Sequence, residues 1–354
     1  MSARLLRLAC TATVAAQAVL APAPAVATPE PQQSVAELLT DLQRLYRQTE
    51  QATETYNATT EQLERQRAEV ARLDGELARA RLALQDSRSD AGRLARQQYQ
   101  SSGGLGPYVR LLLAPDPQHA LDEGHVIGEL ARQRVRTVGR LAAAEKRKDA
   151  LARAARKALD TQLGLAGRQK RQRDDVRTRL AGVERLLAGL TPQQLAAIAR
   201  LEQQGVAEAQ RSLTTAGALP ADRAASPAGD RAVHYALDQV GKPYAWGAQG
   251  PEAYDCSGLT SDAWSHAGIP IPRTSQEQWE QLQRVPLKEL RPGDLVVYFP
   301  EATHVAMYVG GGRVVQAPRP GEKVTVSPIA GYPILGAVRP GPAERGQGLS
   351  SGYS

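Results

Sequence analysis

Cysteine occurs twice in this chain, at Cys10 and Cys256, and the second lies in the run Tyr254-Asp255-Cys256-Ser257-Gly258-Leu259. Asp255 can cap a helix that starts at or beside Cys256. The free N–H groups and positive dipole end of such a helix stabilise a thiolate and lower the cysteine pKa, and they can also hold an oxyanion. His304 opens the apolar run His304-Val305-Ala306-Met307-Tyr308-Val309, and Gln316 ends the run after it. A cysteine on a helix end, with a histidine and an amide on adjacent strands, supplies nucleophile, base and orienter. The chemistry expected is acyl transfer through a thioester. An isolated cysteine can also be just a small buried apolar residue, but that reading leaves the Asp-Cys-Ser-Gly setting unexplained. His119, His125, His234 and His266 read as surface or packing residues. Neither a metal site nor a cofactor is expected, since one or two cysteines cannot make a multi-thiolate zinc site.

The elements that must position these residues are small. Asp230 to Val240 reads as a helix stopped by Gly241. The turn-rich segment Gly241-Lys242-Pro243-Tyr244-Ala245-Trp246-Gly247 then leads to the Cys256 helix. After Pro292-Gly293-Asp294 come five short strand candidates, 295–299, 304–309, 313–316, 323–326 and 334–338, separated by Gly or Pro turns. Helices followed by a small antiparallel sheet predict an α+β domain over 230–340.

The rest of the chain has a different periodicity. From Leu38 to Leu94, alternating steps of four and three through Leu42, Leu45, Thr49, Ala52, Tyr56, Thr59, Leu63 and onward make a heptad seam, with no proline between Gln32 and Gly106. A second seam from Ile127 to Leu190, interrupted by polar residues such as Gln162 and Gln169, supplies a partner. Residues 28–211 are therefore expected to form an antiparallel coiled-coil hairpin with its tip at about 101–120. Leu111 to Leu113 at that tip are too apolar for a solvated turn, and they suit local packing or partner docking equally. The Ala/Gly/Pro/Ser/Thr stretch 212–229 reads as a flexible linker, and 341–354 as a disordered tail. With a net charge of +7 over 354 residues, the protein favours anionic surfaces, but no aromatic residues interleave the arginines to stack bases, so nucleic acid is not expected.

Arg4 and Arg7 precede an apolar stretch to about Leu20, and Ala25-Val26-Ala27 makes a small-residue cleavage site. This predicts a signal peptide over 1–27 and a secreted, extracellular or cell-wall-associated protein. Its removal leaves Cys256 as the only thiol, so no internal disulfide can form.

The blocks Gly241–Gly247, Asp255–Leu259, Gly268-Ile269-Pro270-Ile271-Pro272-Arg273-Thr274-Ser275, Arg291-Pro292-Gly293-Asp294-Leu295 and His304-Val305-Ala306 resemble, in order, the NlpC/P60 family of papain-like cysteine peptidases. Together with the coiled coil they resemble the exported peptidoglycan endopeptidases of actinobacteria. The resemblance implies Cys256 as nucleophile and His304 as general base and later acid. It implies Tyr244 beside the scissile carbonyl, helping the Cys256 N–H form an oxyanion hole, with Asp255 and Ser257 contacting the substrate peptide. The third polar position, often histidine in this family, is Gln316 here, which is expected to accept from Nδ1–H of His304. The implied substrate is the peptidoglycan stem peptide, cut between D-glutamate and the diamino acid. The hairpin resembles those of exported division hydrolases, where such an element masks the active site and docks to a membrane complex of the FtsEX type. Two rival readings stand beside this one: a non-catalytic coiled-coil scaffold that binds wall peptide and activates another hydrolase, and an N-acetylmuramoyl-L-alanine amidase.

Overall fold

A computed structural model describes residues 34–101, 107–219 and 223–341. The expected signal peptide, residues 102–106 of the expected hairpin tip, residues 220–222 of the expected linker and all but the first residue of the expected tail lie outside them. Helix α1 (Val35–Ser101) runs 67 residues without a break, as its proline-free heptads require. Helix α2 (Pro107–Leu112) turns the chain, and α3 (Pro117–Ala188), capped by the Asp116 side chain on the His119 N–H, returns antiparallel to α1. Leu73 and Leu77 of α1 pack on Ala155 and Ala158 of α3. Small residues on one helix let the other approach closely. The polar interruptions are satisfied across the pair, Gln66 Nε2 donating to the Ala158 carbonyl (3.0 Å) and Gln169 Nε2 to Thr60 Oγ1 (2.9 Å).

The return arm breaks at Gly189, inside the range expected for the hairpin. After Gly189, Thr191 starts a further helix, α4 (Pro192–Thr215), through a capping box with Gln194. Ile198 of α4 joins Leu38, Leu42, Tyr46 and Val183 in a core at the base of the hairpin. Helix α5 (Pro227–Asp238) begins at a Ser226 cap. The stretch expected to be flexible over 212–229 is thus helical at both ends. Its small polar residues serve as helix ends and caps as readily as they serve a linker.

In the remainder, α5, α6 (Cys256–His266) and α7 (Ser275–Gln281) cover one face of a six-stranded antiparallel sheet of order β1-β6-β2-β3-β4-β5. The strands are β1 (Gln283–Val285), β2 (Leu295–Tyr298), β3 (His304–Gly310), β4 (Arg313–Gln316), β5 (Thr325–Pro328) and β6 (Ile334–Arg339). Strand alternation sorts the core: Leu295, Val297, Val305 and Met307 point to the helices, while Val296, Tyr298, Ala306 and Tyr308 point to the other face, where Leu213 of α4 packs. The edge strand β1 was not expected, because three residues carry no period. Among the described residues no helix is long and apolar enough to cross a membrane.

Candidate active site

Asp255 caps α6 through Oδ1, which accepts from the Gly258 N–H at 2.6 Å, and Cys256 is therefore the first helical residue. Gly258 is required there: a Cβ would stand 2.1 Å from the Ala248 carbonyl oxygen, so only glycine lets the helix end sit on the 245–248 turn. The other oxygen of Asp255 accepts from the Gly247 N–H (2.9 Å) and from Arg273 Nη2 (2.7 Å), and Arg273 Nη1 donates to Ser257 Oγ (2.8 Å). The Gly241–Gly247 and Arg273 blocks of the sequence thus meet at one carboxylate. Tyr244 is buried in the same cluster as Cys256 and Val305. Trp246 is partly buried and packs edge-on to Tyr56 of α1, with ring centroids 5.1 Å apart.

His304 starts β3, wholly buried, and the backbone N–H of its neighbour Val305 bears on the Cys256 thiol. Its Nε2 lies 2.6 Å from Gln316 Oε1. This corrects the expected pairing of Gln316 with Nδ1. Ser327 Oγ of β5 holds the Gln316 amide nitrogen at 2.7 Å, which turns the amide oxygen onto Nε2 and leaves Nδ1 facing Glu50. Ser327 has no motif to mark it. All six residues singled out in the sequence, Tyr244, Asp255, Cys256, Ser257, His304 and Gln316, are brought together and buried.

The site is also filled, by α1. Glu50 Oε1 stands 3.3 Å from His304 Nδ1, an ion-pair distance without the alignment of a full hydrogen bond. Glu54 accepts from Ser257 Oγ (2.7 Å) and the Ser275 N–H (3.0 Å), and the Cys256 thiol lies 3.7 Å from its Oε1. Asn57 Nδ2 donates to Asp255 Oδ2 at 3.0 Å. Glu50, Glu54 and Asn57 follow a helical stride of four and three, so one stripe of α1 faces the cleft while Thr49, Ala52 and Thr59 remain buried on the seam side. None of the sequence motifs singles out these three residues. A signal was present: between Arg47 and Arg65 of this arginine-rich helix there is no basic residue at all.

The electrostatics follow from this packing. Burial, then Glu54, Asp255 and Glu50, push the Cys256 thiol well up, so in this state the thiolate expected from the helix end is suppressed. Burial and the neighbouring Asp255 raise Glu54 from 4.5 to about 7, against the pull of Arg273, Ser257 and Ser275. Burial works to lower His304, but Glu50 together with Gln316 and Glu54 outweighs it and the imidazole is raised. Burial and the facing Cys256 and Asp255 raise the Tyr244 hydroxyl as well. Among the described residues no cluster of His, Cys, Asp and Glu could hold a metal ion.

Residues 241–335 match the NlpC/P60 family. A probable endopeptidase of Corynebacterium glutamicum is 41% identical over 142 residues, 40% of this chain and 68% of that protein. A probable endopeptidase of Mycobacterium tuberculosis is 42% identical over 114 residues, 31% of this chain and 30% of that one. The peptidoglycan endopeptidase RipB of the same species is 37% identical over 140 residues, covering 35% of this chain and 58% of RipB. With its ordered motifs meeting around Cys256 and its likeness to the corynebacterial relative covering two thirds of that protein, the chain belongs to the NlpC/P60 family.

Proposed function

We propose that this protein is an exported cysteine endopeptidase that hydrolyses peptidoglycan stem peptides between D-glutamate and the diamino acid, and that α1 holds it inactive at rest. The observation that carries the reading is Cys256 at the start of α6, in contact with the strand that His304 opens, with His304 Nε2 held by Gln316 so that Nδ1, which faces Glu50 at rest, is left to serve the thiol. With the cleft open, Nδ1 takes the thiol proton and the thiolate attacks the scissile carbonyl carbon. The oxyanion is met by the Cys256 N–H and the Tyr244 hydroxyl. As the tetrahedral intermediate collapses, the imidazolium gives its proton to the leaving amine. Water, deprotonated by the same nitrogen, then cleaves the thioester and restores the thiol. Asp255 and Ser257 hold the acyl half of the substrate.

The stem peptide as substrate is favoured by family membership and by the peptidoglycan endopeptidase among the similar proteins. The wall polymer lies outside the membrane, which fits the signal peptide read in residues 1–27. The masking role of the hairpin is favoured by Glu50 and Glu54, which occupy the places of substrate against His304, Ser257 and Ser275. At the far end Tyr108, Leu112 and Leu113 are exposed, offering a place for a membrane complex of the FtsEX type to grip the hairpin and draw it off.

The test is digestion of purified sacculi with mass spectrometry of the fragments. Fragments ending in D-glutamate, absent with Cys256→Ala, are expected. Release that continues unchanged with Cys256→Ala would leave only a scaffold role, and fragments cut at the muramoyl–L-alanine bond would make the protein an amidase.

A further inference from the structure

Arg319, three residues beyond Gln316, is bound in a way that its own domain does not explain. Its Nε donates to Glu322 of the same domain at 2.6 Å, which fixes the plane of the guanidinium. Its Nη1 and Nη2 then form a fork that takes both oxygens of Glu202, on α4, at 2.8 and 3.0 Å. The ring of Tyr46, on α1, lies against the guanidinium at 4.8 Å. Two of the three partners thus come from the helical arm, Glu202 from α4 and Tyr46 from α1, the helix that fills the cleft. The fork itself would stay aimed by Glu322 after they leave.

The position of this fork relative to the chemistry is legible along α1. Tyr46 meets Arg319, Glu50 meets His304 and Glu54 meets Ser257, four residues and about 6 Å of helix apart at each step. Tyr332 bridges the first interval. Its ring centroid is 5.0 Å from that of His304, and its hydroxyl feels both Glu50 and Arg319. A cavity of about 800 Å³ lined by Arg319, Glu202, Tyr332, Phe299 and Glu50 runs from the fork to Glu50, the carboxylate that faces His304. The catalytic reading above puts the leaving amine on the His304 side, because His304 must protonate it. Arg319 therefore lies beyond the scissile bond on the leaving-group side, at the reach of one to two extended residues.

We propose that Arg319 is a specificity residue for a substrate whose leaving half ends in a free carboxylate one or two residues past the cut, and that Glu202 occupies this subsite at rest. The planar fork matches a carboxylate bidentately, and the resting chain supplies one from α4 in that geometry. Substrate carboxylate and Glu202 compete for the same two N–H donors, so a peptide with this end also opposes closure of α4.

This inference rests on the catalytic roles given to Cys256 and His304, and its test separates the two. The full chain carrying Glu50→Ala and Glu54→Ala is given two synthetic stem peptides that differ only in a terminal carboxylate or carboxamide one residue past the cut. A preference for the carboxylate of about tenfold or more in kcat/KM is expected with Arg319, falling to near unity with Arg319→Gln. The ratio is read because it does not depend on how much of each chain is open. Binding of both peptides to the Cys256→Ala form of each chain gives the same comparison without turnover. Equal values for the two peptides, no binding of either, or a preference that survives Arg319→Gln would overturn the assignment. Failure to release fragments from sacculi would instead sink the catalytic reading.

Discussion

The two halves of α1 are built from the same heptad pattern and do opposite work. Between Val70 and Leu84 the helix buries leucine and alanine against α3 and leaves Arg72 in water, tied to Glu69 and Glu76. Between Tyr46 and Asn57 it is buried on two sides, and the second side carries carboxylates and an amide into a peptidase cleft. Apolar burial is non-directional and hard to release. A buried carboxylate costs desolvation that its hydrogen bonds only partly offset. On the function proposed above, one half is a permanent strut, and the other a cover that fits closely yet can be withdrawn.

The largest expected effect tests this division directly. Removing both cover carboxylates, Glu50→Ala with Glu54→Ala, takes away the partner of His304 and the acceptor of Ser257 and Ser275. It should raise alkylation of Cys256 and release of wall fragments by about 100-fold, the equivalent of about 3 kcal/mol. Leu77→Ala, 23 residues further along, should destabilise the hairpin by about 3 kcal/mol in thermal or denaturant unfolding, yet leave Cys256 alkylation as it was. If Leu77→Ala exposes the thiol as much as the carboxylate pair does, strut and cover are one cooperative unit and the contrast is lost.

Legibility in the sequence divides along the same line. The peptidase side could be read because each functional residue sits in a local signal: Asp255 as a cap, Cys256 at a helix start, His304 and Gln316 at strand ends. The strut could be read because apolar heptads have a single meaning. Glu50, Glu54 and Asn57 could not, because a polar residue off a heptad seam looks the same whether water or another domain covers it. What betrays them is a missing component, the absence of arginine from 48 to 64. The direction of the His304 ring was likewise beyond the sequence, since it is decided by Ser327 on the next strand. The last turn of α4 and the start of α5 were hidden for a related reason: Ser, Thr and Ala near a Pro give a cap and a linker the same composition.

Acidity should loosen or tighten the cover in a defined direction. Glu54 is raised from 4.5 to about 7 in the closed state, so closure binds a proton. The stabilisation from that proton is complete below 4.5 and is lost as pH rises through 7. His304, also raised on closure by Glu50 against the effect of burial, pulls the same way. Glu54→Gln keeps the shape of the protonated side chain and cannot ionise. The ratio of Cys256 alkylation in the native chain to that in Glu54→Gln should therefore climb between pH 4.5 and 7, by up to about tenfold per unit, and level off above 7. A flat ratio would mean that Glu54 is not the group that couples closure to protons.

The smallest effect belongs to Asn57, and it places the boundary between the two halves. Its amide gives one hydrogen bond to Asp255, which still accepts from Arg273, Gly247 and Gly258 when the amide is gone. No buried acceptor is orphaned, so Asn57→Ala should weaken closure by only about 1 kcal/mol, a rise of about fivefold in Cys256 alkylation. Gln66, nine residues on, also makes one cross-element bond, to the Ala158 carbonyl of α3. Gln66→Ala should cost the hairpin a similar amount in unfolding measurements with no change in alkylation. The function of α1 then changes between Asn57 and Gln66, in the stretch where Leu63 becomes fully buried and Arg65 restores the basic periodicity of the helix.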